Sequence, residues 1–335
     1  MRLLIISLFT LIFNTSVFSQ GCCSGAAGSP IAGGAATGVL QENQMEISIN
    51  YQNNSSNKFF TEHRDTRSLL TNSINSDYLF FRVDYGLSKK LTLSVASGYF
   101  LDKSKIGKDN SDTISSNGVG DLIIFPRYSI YNKTANFKRT AVVIGLGLKI
   151  PLGSHNDTTN LGSYGIDNYQ MNPPMLQTTN GSQDLMFNSF FFREYQKSKL
   201  RLFISSLYVK KGYNSLGIKY GDYTSVGFFA SKTFFYRWGV TAQLKAEKID
   251  QIKVANNIEE WDLLEYSITP ESTGSKKWFF IPQLSYSKNG LTVYATSEIP
   301  LYQYLNGTQV GSQNQFTVGV NYRFLIKKCE DPTLN

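Results

Sequence analysis

Apolar and polar residues alternate one by one along most of this chain. In "NQMEISINYQ", Met45, Ile47, Ile49 and Tyr51 share one side of an extended backbone, and Glu46, Ser48, Asn50 and Gln52 share the other. "SDYLFFRVDYG" sets Leu79, Phe81, Val83 and Tyr85 against Phe80, Arg82 and Asp84. "LTLSVASGY" sets Leu91, Leu93, Val95 and Tyr99 against Thr92, Ser94, Ala96 and Gly98. Leu122, Ile124, Pro126, Tyr128 and Ile130 oppose Asp121, Ile123, Phe125, Arg127 and Ser129. Val142, Ile144, Leu146, Leu148 and Ile150 oppose Gly145, Gly147 and Lys149. A period of two marks strands whose two faces meet different surroundings. Further strands are expected near residues 183–194, 199–210, 222–233, 239–249, 277–287, 291–303 and 313–325, the first two alternating least cleanly. The result is about twelve strands of roughly ten residues, the length of a tilted membrane-crossing strand.

The connections sort by length. Short ones fall near 86–90, 132–139, 195–198, 234–238 and 288–290; long ones near 53–75, 102–117, 152–182, 211–221, 250–276 and 304–312. Alternation of short and long is the habit of outer-membrane barrels, with short periplasmic turns and long extracellular loops. The fold expected is therefore all-β: a single closed antiparallel transmembrane barrel. Charge placement supports the faces. A lysine or arginine facing lipid costs about 2–4 kcal/mol at the bilayer midplane and almost nothing near the interface. The apolar faces carry only Arg193, Lys210, Lys232 and Lys248, all near strand ends. Pro126 and Pro282 fall mid-strand and count against the scheme unless they mark local bulges.

The chain starts "MRLLIISLFTLIF", a single arginine and then an apolar run too short to span a bilayer. Residues 1–19 read as a signal peptide cleaved after Ser19. Residues 20–42 are Gly/Ala-rich, 43–325 form the barrel, and 326–335 a periplasmic tail. Composition agrees: aromatic residues reach 14% and charged ones only 17%, below the usual quarter. The net charge of +8 comes from scattered lysines and arginines, with no basic run longer than a pair, so a nucleic-acid partner is not expected.

Other chemistry is sparse. Three cysteines are present; a disulfide from Cys22 or Cys23 to Cys329 and free or vicinal thiols stand as alternatives. "SQGC" lacks the aliphatic residue that lipidation signals carry. Neither His63 nor His155 lies at metal-ligand spacing from a cysteine, so neither metal nor cofactor is implied. "DNSD", 109–112, does not fit a calcium loop. A His–Asp pair drawn from His155 and Asp157 sits in a long loop without a named serine, so no enzyme is expected. "EEWDLLEY", 259–266, is an acidic aromatic patch that reads as an ordinary solvated loop. The two glycine pairs, Gly118/Gly120 and Gly145/Gly147, are followed by strand rather than helix, against a phosphate-binding loop.

"NGVGDLIIFPRYSIY", "GLGLKIPLGSHN" and "PMLQTTNGSQDL" resemble the outer-membrane transporters grouped as the meta-pathway phenol-degradation family, related in architecture to long-chain fatty-acid and aromatic-hydrocarbon channels. The likeness rests on Gly118, Gly120 and Asp121; Pro151 and Gly153; and Gly181, Ser182 and Asp184. "NQFTVGVNYRF" resembles a barrel-assembly signal closed by Phe324, although a tail follows it. The resemblance implies uptake of small, apolar or aromatic compounds.

On the polar faces lie Glu46, Arg82, Asp84, Asp121, Arg127, Lys149, Asp184, Arg201, Lys245, Glu247, Glu298 and Arg323, the lumen-lining candidates. They stand either as ion-selective rings or as salt bridges bracing the wall. Residues 20–42 are a candidate lumen hatch that would touch Gly98, Gly145, Gly147, Gly227 and Gly319; a disordered leader is the alternative. The expected protein is an outer-membrane channel for passive uptake of small solutes, whose other partners are outer-membrane lipid and the barrel-assembly machinery. A structural or adhesive barrel without flux, or less plausibly a hydrolase, would share the fold.

Overall fold

The structure, a computed structural model, describes residues 38–68, 71–108, 113–160, 167–266 and 268–326. Among them run twelve long strands: β1 (Gln44–Ser56), β2 (Thr71–Gly86), β3 (Leu91–Gly107), β4 (Asp121–Ala135), β5 (Lys138–Pro151), β6 (Asp184–Tyr195), β7 (Leu200–Lys210), β8 (Tyr223–Phe234), β9 (Trp238–Ile249), β10 (Ser275–Lys288), β11 (Leu291–Val310) and β12 (Gln315–Leu325). Each pairs antiparallel with its neighbours in sequence, and β12 closes on β1 from Gln44↔Leu325 to Asn54↔Gln315. Closure satisfies the ladder of every strand, which hydrocarbon requires because it offers no hydrogen bonds.

The period of two becomes an inside and an outside. Ile47, Ile49, Phe81, Val83, Ile144, Leu146, Leu148, Val226, Phe228, Val318 and Val320 are exposed on the outer wall. Glu46, Ser48, Asn50, Arg82, Asp84, Lys245 and Glu247 are buried within. A one-residue slip in any strand would exchange these two sets.

Two connections differ from expectation. The turn expected over 132–139 contracts to Asn136 and Phe137, both left-handed at φ 51° and 58°. Asn289 and Gly290 repeat this geometry at φ 52° and 82°. Two left-handed residues match the twist of flanking strands, so the hairpin needs no longer loop. At the other rim β11 continues to Val310 instead of ending near 303, which leaves only residues 311–314 as the last extracellular loop. Pro126 and Pro282 lie where one ladder lapses: β4–β5 pairing skips from Ile124↔Leu148 to Arg127↔Gly145, and β10–β11 pairing from Phe280↔Ile299 to Gln283↔Thr296. Neither lapse changes the register.

The long loops pack on one another. Phe59, Ile74, Met175, Leu176 and Val310 form one apolar cluster between the loops and the extracellular ends of β2 and β11, and Ile218, Tyr220, Ile252 and Ile268 form another. "EEWDLLEY" contributes a short helix, Glu260–Glu265, whose Leu263 packs on the second cluster while Trp261 stays exposed. At the opposite rim the start of β1 and the end of β12 meet, the Ile326 N–H donating to the Asn43 carbonyl at 2.9 Å. The stretch read as a signal peptide, the "DNSD" stretch, residues 327–335 of the tail and all three cysteines, with either reading of their pairing, lie outside the described residues.

Candidate functional site

The lumen is braced by ion pairs. Toward the periplasmic rim, Arg82 Nε meets Asp84 at 2.8 Å and its Nη2 meets Glu46 at 3.4 Å. Arg127 reaches the other oxygen of Asp84 at 2.8 Å, and Arg323 reaches Glu46 at 2.5 Å. Arg82 and Asp84 are 2% and 1% exposed, so this is a dry lattice joining β1, β2, β4 and β12. Arg201 stands apart, 3.8 Å from Glu194 and hydrogen-bonded to Thr233. Toward the extracellular rim two clusters form. Lys245 lies 2.6 Å from Glu298 and 3.4 Å from Glu247. Lys149 lies 2.6 Å from Asp121 and 3.9 Å from Asp184, which also holds Lys211 at 2.8 Å. Each of the twelve charged positions read from sequence thus has an oppositely charged neighbour within 4 Å.

Inner-wall glycines serve a local purpose. The Phe125 ring lies across Gly145 and Gly147, Tyr78 across Gly98, and Tyr294 across Gly319, so closely that a Cβ would overlap each ring. The rings come from adjacent strands. The expectation that a hatch fills these gaps is corrected for the three sites: the neighbouring strand has already filled them.

The end of the 20–42 segment nonetheless enters the lumen. Leu40 donates its N–H to Thr92 Oγ1 at 2.8 Å. Val39 packs into a cluster with Ala141, Val143, Phe190, Phe192 and Phe203. Gly38, at φ +59°, sits against Val143 and Phe190, where a side chain would clash. This explains why β6 and β7 alternate poorly: their inner face is itself apolar, because it packs on aromatic rings and on Val39 rather than on water. Residues 20–37 lie outside the described residues.

Two spaces remain. A polar vestibule of about 290 Å³ opens among Arg201, Arg237, Arg323, Thr233, Ser285 and Asn321. A second cavity, of about 140 Å³, lies under the extracellular loops. Its roof is the 174–180 stretch of the loop between β5 and β6. That loop folds inward: Ser116 donates to the Leu176 carbonyl, and Lys103 Nζ to the Gln177 carbonyl. Beside it, Asp222 accepts the Lys211 N–H at 2.8 Å and the Tyr208 hydroxyl at 3.1 Å. Burial opposes ionisation there, but these donors and Lys219 outweigh it and hold the Asp222 carboxyl below the usual carboxylate range. Burial, then the neighbouring Lys149, push the Lys211 ammonium below the usual lysine range against the pull of Asp184.

Lys103 and Lys211 escaped the sequence reading. Lys211 continues the inward parity of Arg201, Phe203, Ser205, Leu207 and Val209, a signal that was present. Lys103 follows a register shift in the β2–β3 and β3–strand 114–119 pairings, so parity could not place it. His155 Nε2 bonds Ser215 Oγ at 2.8 Å rather than Asp157, whose N–H donates to Gln177. Among the described residues no carboxylate is bonded to the other ring nitrogen, so the pair lacks the third member of a catalytic triad.

The closed wall, the apolar belt and the sorted loops define an outer-membrane β-barrel. No family model and no curated protein matches the sequence. Among solved structures the chain is similar to the COG4313 outer membrane channel from Pseudomonas putida F1, with a TM-score of 0.61 at 10% identity over 87% of this chain and 99% of that one. It also overlaps the beta domain of the Bordetella autotransporter BrkA, with a TM-score of 0.47 at 10% identity over 84% of this chain and 100% of that domain. The first likeness bears on the fold: both chains are barrels of the same outer-membrane class. The closed wall with its apolar outer belt is the architecture of a barrel set in the outer membrane.

Proposed function

We propose that the protein is a channel for passive uptake of small compounds, apolar or aromatic ones among them, and a transporter of the kind to which its resemblance to the meta-pathway phenol-degradation family points. The observation that carries this reading is the lumen. Open space lies toward each end of a twelve-stranded wall, and twelve strands lie between the eight whose interior side chains fill and the 16–18 that leave an open aqueous channel. The twelve lumen-lining charges, Glu46 through Arg323, brace that wall and border the route. The hatch reading of the 20–42 segment is supported by its described end, with Leu40 on Thr92 and Val39 in its aromatic cluster.

Liposome swelling with heat-modifiable protein tests the reading. Influx of small neutral solutes supports it. A correctly folded barrel that admits none overturns it in favour of a structural or adhesive barrel, the reading that the packed extracellular loops favour.

A further inference from the structure

The 140 Å³ cavity has a composition that specifies an occupant. Its wall includes the apolar side chains Phe100, Met175, Met186 and Tyr223. Three lysines, 103, 149 and 211, line it as well. Two carboxylates, Asp121 and Asp184, answer two of them, at 2.6 Å from Lys149 and 2.8 Å from Lys211. The third is different. Lys103 is 3% exposed. Its ammonium donates to the main-chain carbonyl of Gln177 and lies 4.5 Å from the centre of the Phe100 ring. Among the described residues no carboxylate comes within 4 Å of it. Among the described residues three lysines, one buried and two half-buried, therefore face two carboxylates, and a buried charge is costly unless it is paired.

We propose that this cavity is a binding site for a small organic monoacid, one ring-sized apolar body bearing one carboxylate. Size selects the body: a dry cavity of about 150 Å³ holds a benzene ring. Charge selects the head group, since one carboxylate brings the lysine cluster to balance and offers Lys103 a charge-assisted hydrogen bond. Met175 and Met186, which line the cavity, then offer the ring apolar contact. Because Lys103 also holds the roof through Gln177, an acid bound there engages the residue that ties the loop down. The site deepens the channel reading, and rests on it for the route by which the acid passes on.

The test uses the mature protein in detergent, with benzoate and its uncharged isostere benzamide as probes in calorimetric titration. Benzoate is expected to bind at least about tenfold more tightly than benzamide, the worth of one charged hydrogen bond. Acetate, which has the charge without the ring, is expected to bind at least about tenfold more weakly than benzoate. Lys103→Gln is expected to abolish the preference for benzoate over benzamide, and Lys103→Arg to retain it. Equal binding of benzoate and benzamide by the unaltered protein overturns the proposal, and so does an undiminished preference in a heat-modifiable Lys103→Gln barrel. If that variant does not fold, the benzoate, benzamide and acetate ranking of the unaltered protein decides alone. Swelling with a neutral solute is measured on the same preparation. Flux without benzoate preference removes the site and leaves the channel; benzoate preference without flux removes the channel and leaves the site.

Discussion

The wall is assembled from side chains that complete one another across strands. Phe125 is fully buried, its ring spread over the bare backbone of Gly145 and Gly147. Phe125→Ala leaves both glycines uncovered and is expected to destabilise the barrel by about 3–5 kcal/mol, read from urea-induced loss of heat-modifiable migration in detergent. Asp84 answers two arginines at once. Asp84→Asn strands two buried guanidinium groups with Glu46 as the remaining acid, and about 3–5 kcal/mol is expected to be lost in the same assay. If Asp84 and its partners brace the wall, Arg127→Ala leaves the reversal potential in planar bilayers unchanged; a shift toward cations assigns them to ion selection. Outside the membrane, Asp222 gives a pH dependence with a defined sign. Its folded-state value lies below the unfolded one of about 4, so its contribution is complete above that value and is lost as pH falls through the folded value. The protection of residues 211–222 against hydrogen exchange, taken relative to the intrinsic amide rate at each pH, is expected to fall as pH drops from about 5 toward 3. Asp222→Asn is expected to show the lower protection already at neutral pH. Protection that stays constant in the unaltered protein over that range would remove Asp222 as the tether.

At the level of elements, legibility followed solvent. Between the two interfaces each strand has hydrocarbon on one side and an enclosed interior on the other, so alternation located β4, β5, β8 and β9 closely. Above the interface hydrocarbon no longer covers the outer face and the long loops pack on parts of the strands, so the period of two fades. That is why Thr71–Asn75, Asp102–Gly107 and Tyr304–Val310 were read as loop although β2, β3 and β11 run through them. The same loss hid the cavity. Its roof residues, Met175 and Gln177–Thr179, carry no period, and nothing local tells an inward-folding loop from an outward one. What fixes the roof is long-range: the bonds of Lys103 and Ser116 to the carbonyls of Gln177 and Leu176. The polar lattice was legible as a list of inward positions, but the pairing of its members depends on register, which follows from closure rather than from any one strand.

For the whole molecule, strand number sets a lumen too wide for the wall's own side chains to fill and narrow enough for a short segment to obstruct. The described chain enters that space from the periplasmic rim. Counting back from β1, Leu40 is tied to Thr92, Val39 lies among Phe190, Phe192 and Phe203, and Gly38 has already climbed to Val143. An obstruction anchored in this way is separable from the barrel, because β1 and β12 close from Gln44 onward without it. Deleting residues 20–40 from the mature protein is therefore expected to leave heat-modifiable folding intact and to raise single-channel conductance. Val39→Asp, which buries a carboxylate among aromatic rings, is expected to move conductance in the same direction by releasing the anchor. A deletion variant that folds and conducts no more than the intact protein would show that the segment rests against the wall beside the route, and the narrow point of the channel would then lie at the extracellular roof.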